Sequence, residues 1–496
     1  MRSTIHFPRS TGEAHQIVEL CVRTKLPTRV LIVDDSRTMR DMVSFTLRGA
    51  GPVELHLHDN LAFDRQGVLH AVWIDKRDLA LVERNLQQAQ SERQTFQQAR
   101  SEEANARMAA LKKICLDVLE LCQGESQEDT HMNSAKLLGT IQLLSPTEGK
   151  HIAASNQKSK HLYKAILSLR LLDKLLADGE LNNAYVQQRY MASKGKKNGK
   201  DGYDPFRDDV QIPLVMAALL QDIGSCHPQA QRILKGDDGK ADEFRVLEND
   251  ERTALLQVSY RESLKYVTQG LGLDRYTGNS RDERDKHLKL EAERQNFVLF
   301  LLKNAIKPEH GIGNLLKIPQ IYTSVVLSTK SSFSYETLPK VTLVLEKGVE
   351  KGVYSKVAVD ALIAITGVFP QGFGVTYIPK DSDKQDMDRY EYAIVTGLYP
   401  ADIRQPICRM VTRNLTYNVS AQGCIISAEN NLYYPQARKK LEKISEERLL
   451  EILSKLVSNF EERKNMPLLP KFWRPDEYFS YVKNQNLWNK VVMHSN

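Results

Sequence analysis

The stretch Val215-Met-Ala-Ala-Leu-Leu-Gln221-Asp222-Ile-Gly224-Ser225 reads as an apolar helix that ends in a polar pair and a glycine. A glycine in that place is expected to cap the helix. An acid at a helix C-terminus is electrostatically unfavourable, so Asp222 is expected to be held by a buried hydrogen bond.

Around this segment lies a chain of 496 residues, enough for about three domains. Charged residues make up 26% and hydrophobic residues 41%, the balance of a globular protein rather than a disordered or membrane-embedded one. Lys+Arg minus Asp+Glu is 69 − 62 = +7. That mild surplus can assist binding of an anion but does not single out nucleic acid, and no nucleic-acid partner is expected. The six cysteines include no CxxC pair and no cluster of zinc-binding spacing, which fits a reducing compartment. The N-terminus lacks an apolar signal region, and no run of about 18 uncharged apolar residues occurs. A cytoplasmic location without membrane insertion is expected, and the Asn-x-Ser/Thr sequons at Asn414 and Asn418 are read as chance.

Residues 1–76 read as a small α+β module, with a helix over Glu13 to Arg23 and strands over Thr28 to Val33, Val53 to His58 and Gly67 to Ile74. The string Arg29-Val-Leu-Ile-Val-Asp34-Asp35-Ser36 delivers two acids at the end of a strand. It resembles the opening of a two-component receiver domain, but the repeats that a receiver needs have no room before residue 76. The acids are therefore read as caps of the helix that follows.

Residues 77–124 are expected to form one long connecting helix, because Asp78 to Cys122 contains no proline or glycine. Leu79, Val82, Leu86, Ala89 and Phe96 form an apolar seam, which resumes at Met108, Leu111, Ile114 or Cys115, Val118 and Leu121. Such a helix either pairs two copies into a homodimer or packs on its own domain. Residues 125–160 read as linker and helix, and Lys194 to Gly202 as an insertion loop without the order of a phosphate-binding loop. In the extension over 426–496, Glu442 to Arg463 is predicted as an amphipathic helix with an apolar face of Leu449, Leu450, Ile452, Leu453, Leu456 and Val457. The segment around Trp473 is expected to pack over the domain.

Several landmarks flank the opening stretch in order. Upstream lies Lys160-His161-Leu-Tyr-Lys-Ala-Ile-Leu, and directly downstream His227-Pro-Gln-Ala-Gln-Arg-Ile-Leu-Lys. Further on, Val357-Ala-Val-Asp-Ala-Leu-Ile-Ala-Ile-Thr-Gly367-Val-Phe-Pro370-Gln-Gly372-Phe-Gly-Val-Thr-Tyr reads as an apolar helix, a G-x-x-P-x-G turn and a strand. Glycine ends the helix, proline fixes φ, and the second glycine frees the backbone to enter the strand. Strands are then predicted at Tyr392-Ala-Ile-Val-Thr and in the run from Pro406.

Together these residues, roughly 158–420, resemble the HD-GYP branch of the HD metal phosphohydrolases, whose active members hydrolyse cyclic di-GMP. The resemblance implies a mainly α fold: an all-helical HD-type bundle over 161–425 closed by a small β-sheet and preceded by the long helix and the α+β module. In the family a His-Asp pair binds the metal that activates water; here the histidine is Gln221, next to Asp222. Where the family places its remaining ligands, this chain reads Gln257-Val-Ser-Tyr-Arg-Glu, Lys307-Pro-Glu-His310-Gly-Ile-Gly313-Asn and Tyr322-Thr-Ser-Val-Val-Leu. His161, Gln221 and Asp222 are vestigial positions, with His310 a further histidine nearby. No catalytic residue, metal or cofactor is expected.

A cyclic dinucleotide would require guanidinium forks and stacking rings. Arg252, Tyr260, Arg261, Arg275, Tyr276, Arg281 and Arg284 are the candidates. Arg409 to Arg413 and Asn418 to Gly423 echo PilZ elements, but the gap between them is too short for a strand, so they are read as coincidence. The resemblance thus implies a non-catalytic bacterial regulatory protein that binds cyclic di-GMP or a protein partner to control motility, surface attachment or biofilm formation. One rival is an active phosphohydrolase with iron or manganese held by His161, Asp222, His227 and His310. The other is a ligand-free oligomeric scaffold paired through residues 78–122.

Overall fold

A computed structural model describes residues 4–7, 29–34, 54–59, 69–73 and 79–495, apart from 148, 150, 195–201, 309–311, 419–421, 464 and 490–491. The chain divides into two compact units, Met1–Glu103 and Ala104–Asn496. The predicted helix over Glu13 to Arg23 and most of the Lys194 to Gly202 loop lie outside the described residues.

In the first unit β1 (Thr4–Phe7), β2 (Arg29–Asp34), β3 (Glu54–Asp59) and β4 (Leu69–Trp73) form a sheet in the order β1-β4-β2-β3. The predicted strands are present to within two residues at their starts, and β1 is an addition. β2 has a parallel neighbour in β3 and an antiparallel one in β4, unlike the all-parallel sheet of a doubly wound receiver-type fold.

The helix α1 (Leu79–Cys122) runs unbroken, as its composition predicts. The boundary between the units falls inside it. From Ala104 onward Met108, Cys115, Val118, Leu119 and Cys122 are buried, whereas Ile114 and Leu121 are exposed. The seam therefore resolves to Cys115 rather than Ile114, and Cys122 takes the place expected for Leu121. This half of the helix packs on its own unit: Arg107 Nε donates to Gly270 O at 2.9 Å, and Gly272 N donates to Ala104 O at 3.0 Å.

The second unit is mainly helical. After α2 (Gln127–Leu144) comes the central helix α3 (Ile152–Ala177), in which Tyr163 and Ala165 to Leu167 are fully buried. Around it pack α5 (Ile212–Leu220), which follows α4 (Ala184–Ser193), and, further along the chain, α9 (Asn314–Val326) and α11 (Lys356–Thr366). Between α5 and α9 lie α6 (Pro228–Lys235), α7 (Asn249–Lys265) and α8 (Arg281–Asn304); α10 (Val341–Glu350) precedes α11.

The G-x-x-P-x-G turn has the predicted form. Gly367 follows α11 at φ 67° and Gly372 has φ 88°, both in the left-handed region that favours glycine. The turn leads into β5 (Gly374–Tyr377), β6 (Glu391–Val395) and β7 (Ile407–Met410). A short hairpin of β8 (Thr412–Arg413) and β9 (Thr416–Tyr417) precedes β10 (Gln422–Ile425) and β11 (Val492–Ser495). The sheet order is β11-β10-β7-β6-β5, antiparallel except at β10–β11.

The C-terminal helix differs from expectation. After a separate helix α12 (Pro435–Leu441), the predicted span Glu442 to Arg463 holds a shorter helix, α13 (Glu446–Leu456), which Ser445 starts by accepting from Arg448 N at 3.3 Å; a 3-10 turn over Phe460–Arg463 lies after it. The buried face is Leu449, Ile452, Leu453 and Leu456, with Leu450 39% exposed and Val457 at the helix end. Trp473 is buried as expected, stacked on Tyr392 at 4.8 Å with Nε1 donating to Ala393 O at 2.8 Å. Among the described residues no helix is long and apolar enough to cross a membrane.

Candidate functional site

The end of α5 meets the middle of α3 and the first turns of α9. Gln221 continues the helical backbone of α5, Asp222 leaves it, and a 3-10 turn follows over Ile223–Cys226. Gly224 does not cap α5 in the left-handed conformation. Its role is proximity: a Cβ at Gly224 would sit 2.0 Å from Ser259 O of α7. Ser263 of α7 fastens the turn, accepting from Gly224 N at 2.9 Å and donating to Gln221 O at 3.1 Å.

Asp222 has the hydrogen bonds that its position demands. Lys164 Nζ donates to Oδ2 at 2.9 Å and Gln320 Nε2 to Oδ1 at 2.9 Å. Gln320 Oε1 in turn accepts from Lys317 Nζ at 3.2 Å and from Gln221 Nε2 at 3.3 Å. Lys160 and Lys164 stand one turn apart on α3, both within electrostatic reach of Asp222. The Lys164 side chain is 3% exposed and that of Asp222 29%, so the cluster touches solvent on the carboxylate side. His161 Nδ1 and Gln221 Oε1 are buried without a hydrogen-bond partner among the described residues.

The electrostatics follow from three ammonium groups, Lys160, Lys164 and Lys317, around one carboxylate. Desolvation raises the Asp222 pKa, but the charge and hydrogen bond of Lys164, with Lys160 and His161, outweigh it and hold the group down at about 2. Burial and then Lys164 depress His161 to about 4, against the opposing pull of Asp222, so it is neutral at pH 7. Burial also lowers Lys160 and Lys317, which Asp222 partly offsets.

The structure brings His161, Gln221 and Asp222 together. Arg252 lies within electrostatic reach of Lys317. On the same helix Tyr260 is half exposed, and Arg261 is held by Glu262 at 2.9 Å and Gln229 at 2.7 Å. Tyr276 donates to Glu283 at 2.6 Å, Arg284 lies 3.8 Å from Asp285, and Arg275 and Arg281 are exposed. Each is bound to a neighbour or faces solvent, the outcome for most surface arginines. His227 caps α6, its Nδ1 accepting from Gln229 N at 3.2 Å, and His310 lies outside the described residues. Arg409 is buried and donates to the carbonyls of Asn486 at 3.3 Å and Asn489 at 3.4 Å, while Arg413 is exposed.

Among the described residues, which exclude His310, the iron or manganese of the rival reading would meet few donors beside Asp222. One carboxylate, one imidazole and neutral amides face three ammonium groups, and a divalent cation would be repelled by charges that the chain itself supplies. A second acidic group, Asp274, His287 and Glu291, has ligand atoms within 4.8 Å of one another. Its carboxylates are already engaged, by Lys112 on Asp274 and by Arg294 on Glu291. Arg294 also grips the buried Asp209 at 2.8 Å, joined by Arg189 at 3.3 Å, so this is an internal ion-pair network. The sequence reading missed both clusters of cations. Lys160 and Lys164 at i,i+4 were a visible signal, since that spacing puts both on one face of a helix; Lys317 was not, because only the fold carries it there.

No protein family, curated protein or solved structure matches the chain.

Proposed function

We propose that the chain is a non-catalytic regulatory protein on a degenerate HD-GYP-like scaffold, in which lysine ammonium groups stand where an active member would hold metal. The observation that carries this reading is the 2.9 Å pairing of Lys164 with Asp222, with Lys160 and Lys317 beside it. A tethered cation satisfies the carboxylate but cannot lower the pKa of a water or polarise a phosphoryl oxygen as a divalent ion does. The surplus of positive charge, open on the carboxylate side, suits an anionic group, and cyclic di-GMP is the ligand that the resemblance suggests. Its binding, or that of a protein partner, would control motility, surface attachment or biofilm formation.

Calorimetry with cyclic di-GMP, elemental analysis and a hydrolysis assay on the same purified chain test this reading. Binding without turnover and without stoichiometric metal is expected, with affinity lowered at least about tenfold in Lys160→Gln/Lys317→Gln. Stoichiometric iron or manganese with hydrolysis would overturn it in favour of the phosphohydrolase. No heat, with a dimer that dissociates when residues 78–103 are removed, would favour the scaffold.

A further inference from the structure

β7 and β10 are antiparallel neighbours in which Cys408 stands directly opposite Cys424. Ile426 N donates to Pro406 O at 3.1 Å, which makes 406 and 426 a hydrogen-bonded pair. Two residues along each strand, 408 and 424 form a pair of the same kind, with side chains on the same face of the sheet. The Cα atoms of such a pair lie about 5.5 Å apart, inside the span of about 4.4 to 6.8 Å that a disulfide bridges, while the Cβ atoms, about 5.5 Å apart, have to close to about 4.5 Å as the bond forms. Both thiols are free and almost fully buried, at 0% and 1% exposure, and each bears electrostatically on the Tyr377 hydroxyl.

We propose that Cys408 and Cys424 are an oxidative modification site, a dithiol that a low-molecular-weight disulfide such as oxidised glutathione converts to a cross-strand disulfide. One thiolate attacks a glutathione sulfur, forming a mixed disulfide and releasing one glutathione thiolate. The second cysteine, as thiolate, attacks the protein sulfur of that mixed disulfide and releases the other. The protein loses two electrons and two protons, and the oxidant becomes two molecules of reduced glutathione. Burial pushes both thiols up, Cys424 to about 12 and Cys408 in the same direction, so thiolate is scarce and the reaction waits on local opening of the sheet. Cys226 is exposed and serves as an internal clock.

The test uses the full chain, reduced and then incubated with excess oxidised glutathione, sampled from the time that Cys226 takes to react up to roughly ten-thousandfold longer. After quenching, alkylation in denaturant and trypsin digestion, the expected product is the peptide containing Cys408 joined to the peptide beginning at Asn414 that contains Cys424, two hydrogens lighter than their sum. Its yield should return to zero on treatment with dithiothreitol. Recovery of Cys408 and Cys424 as separately alkylated thiols would overturn the proposal, as would finding either joined only to glutathione or to another cysteine. Cys424→Ala provides a second measurement: Cys408 should then be recovered as alkylated thiol or glutathione adduct, and a bridge to any other cysteine would refute the pairing.

Discussion

Lys164 and Asp222 show how one buried ion pair sets the acid behaviour of a site. Asp222 titrates at about 2 in the folded chain against an ordinary 3.8, and His161 at about 4 against 6.5. Both values lie below those of the unfolded chain, so the unfolded state binds more protons in acid and stability rises with pH. The His161 contribution should be lost as pH falls from 6.5 to about 4, and that of Asp222 from 3.8 to about 2. The Asp222 share is roughly 2 kcal/mol. Urea midpoints taken from pH 7 to pH 2 should fall in those windows. Lys164→Met should cost about 3 kcal/mol at pH 7, since it removes the ammonium group hydrogen-bonded to the carboxylate, and should flatten the acid limb below pH 4. An unchanged midpoint in that variant would show that Asp222 is adequately served by Gln320 and solvent. The sequence disclosed that Asp222 needed a buried partner, because an acid at a helix end is unfavourable. It did not disclose which one, since Lys164 and Gln320 reach it across helices separated in the chain by many residues.

At the scale of elements, the turn after α11 was legible because glycine and proline impose backbone angles locally, whereas the role of Gly224 was not. Its small size answers the approach of α7, a tertiary fact, and the local pattern suggested a cap instead. Gly224→Ala should therefore push α7 away or distort the Asp222 turn, costing about 1 to 3 kcal/mol although alanine is the better helix former. Denaturant unfolding checks this, and an alanine variant as stable as the parent would mean that the two segments part without cost. The seam of α1 was partly legible for a similar reason. Periodicity identified a face, but one residue of phase decides between Ile114 and Cys115, and the neighbours of the second unit select Cys115.

For the molecule as a whole, the division at Glu103 and Ala104 falls within a helix, where no proline, glycine or composition shift announces it. Residues 104–122 belong with the second unit through Met108, Cys115, Val118, Leu119 and Cys122. A fragment of residues 104–496 should unfold cooperatively. One beginning at residue 123 would lose those buried side chains, at about 1.5 to 3 kcal/mol for each of the larger ones, against a total stability of roughly 5 to 15 kcal/mol. It should be insoluble or lack a cooperative transition by circular dichroism; equal stability of the two fragments would sink this assignment. The same view gives the Asp222 cluster a wider meaning. Because the counter-charge of Asp222 is part of the polypeptide, its neutralisation is accomplished by folding itself, at the moment α3 and α5 meet.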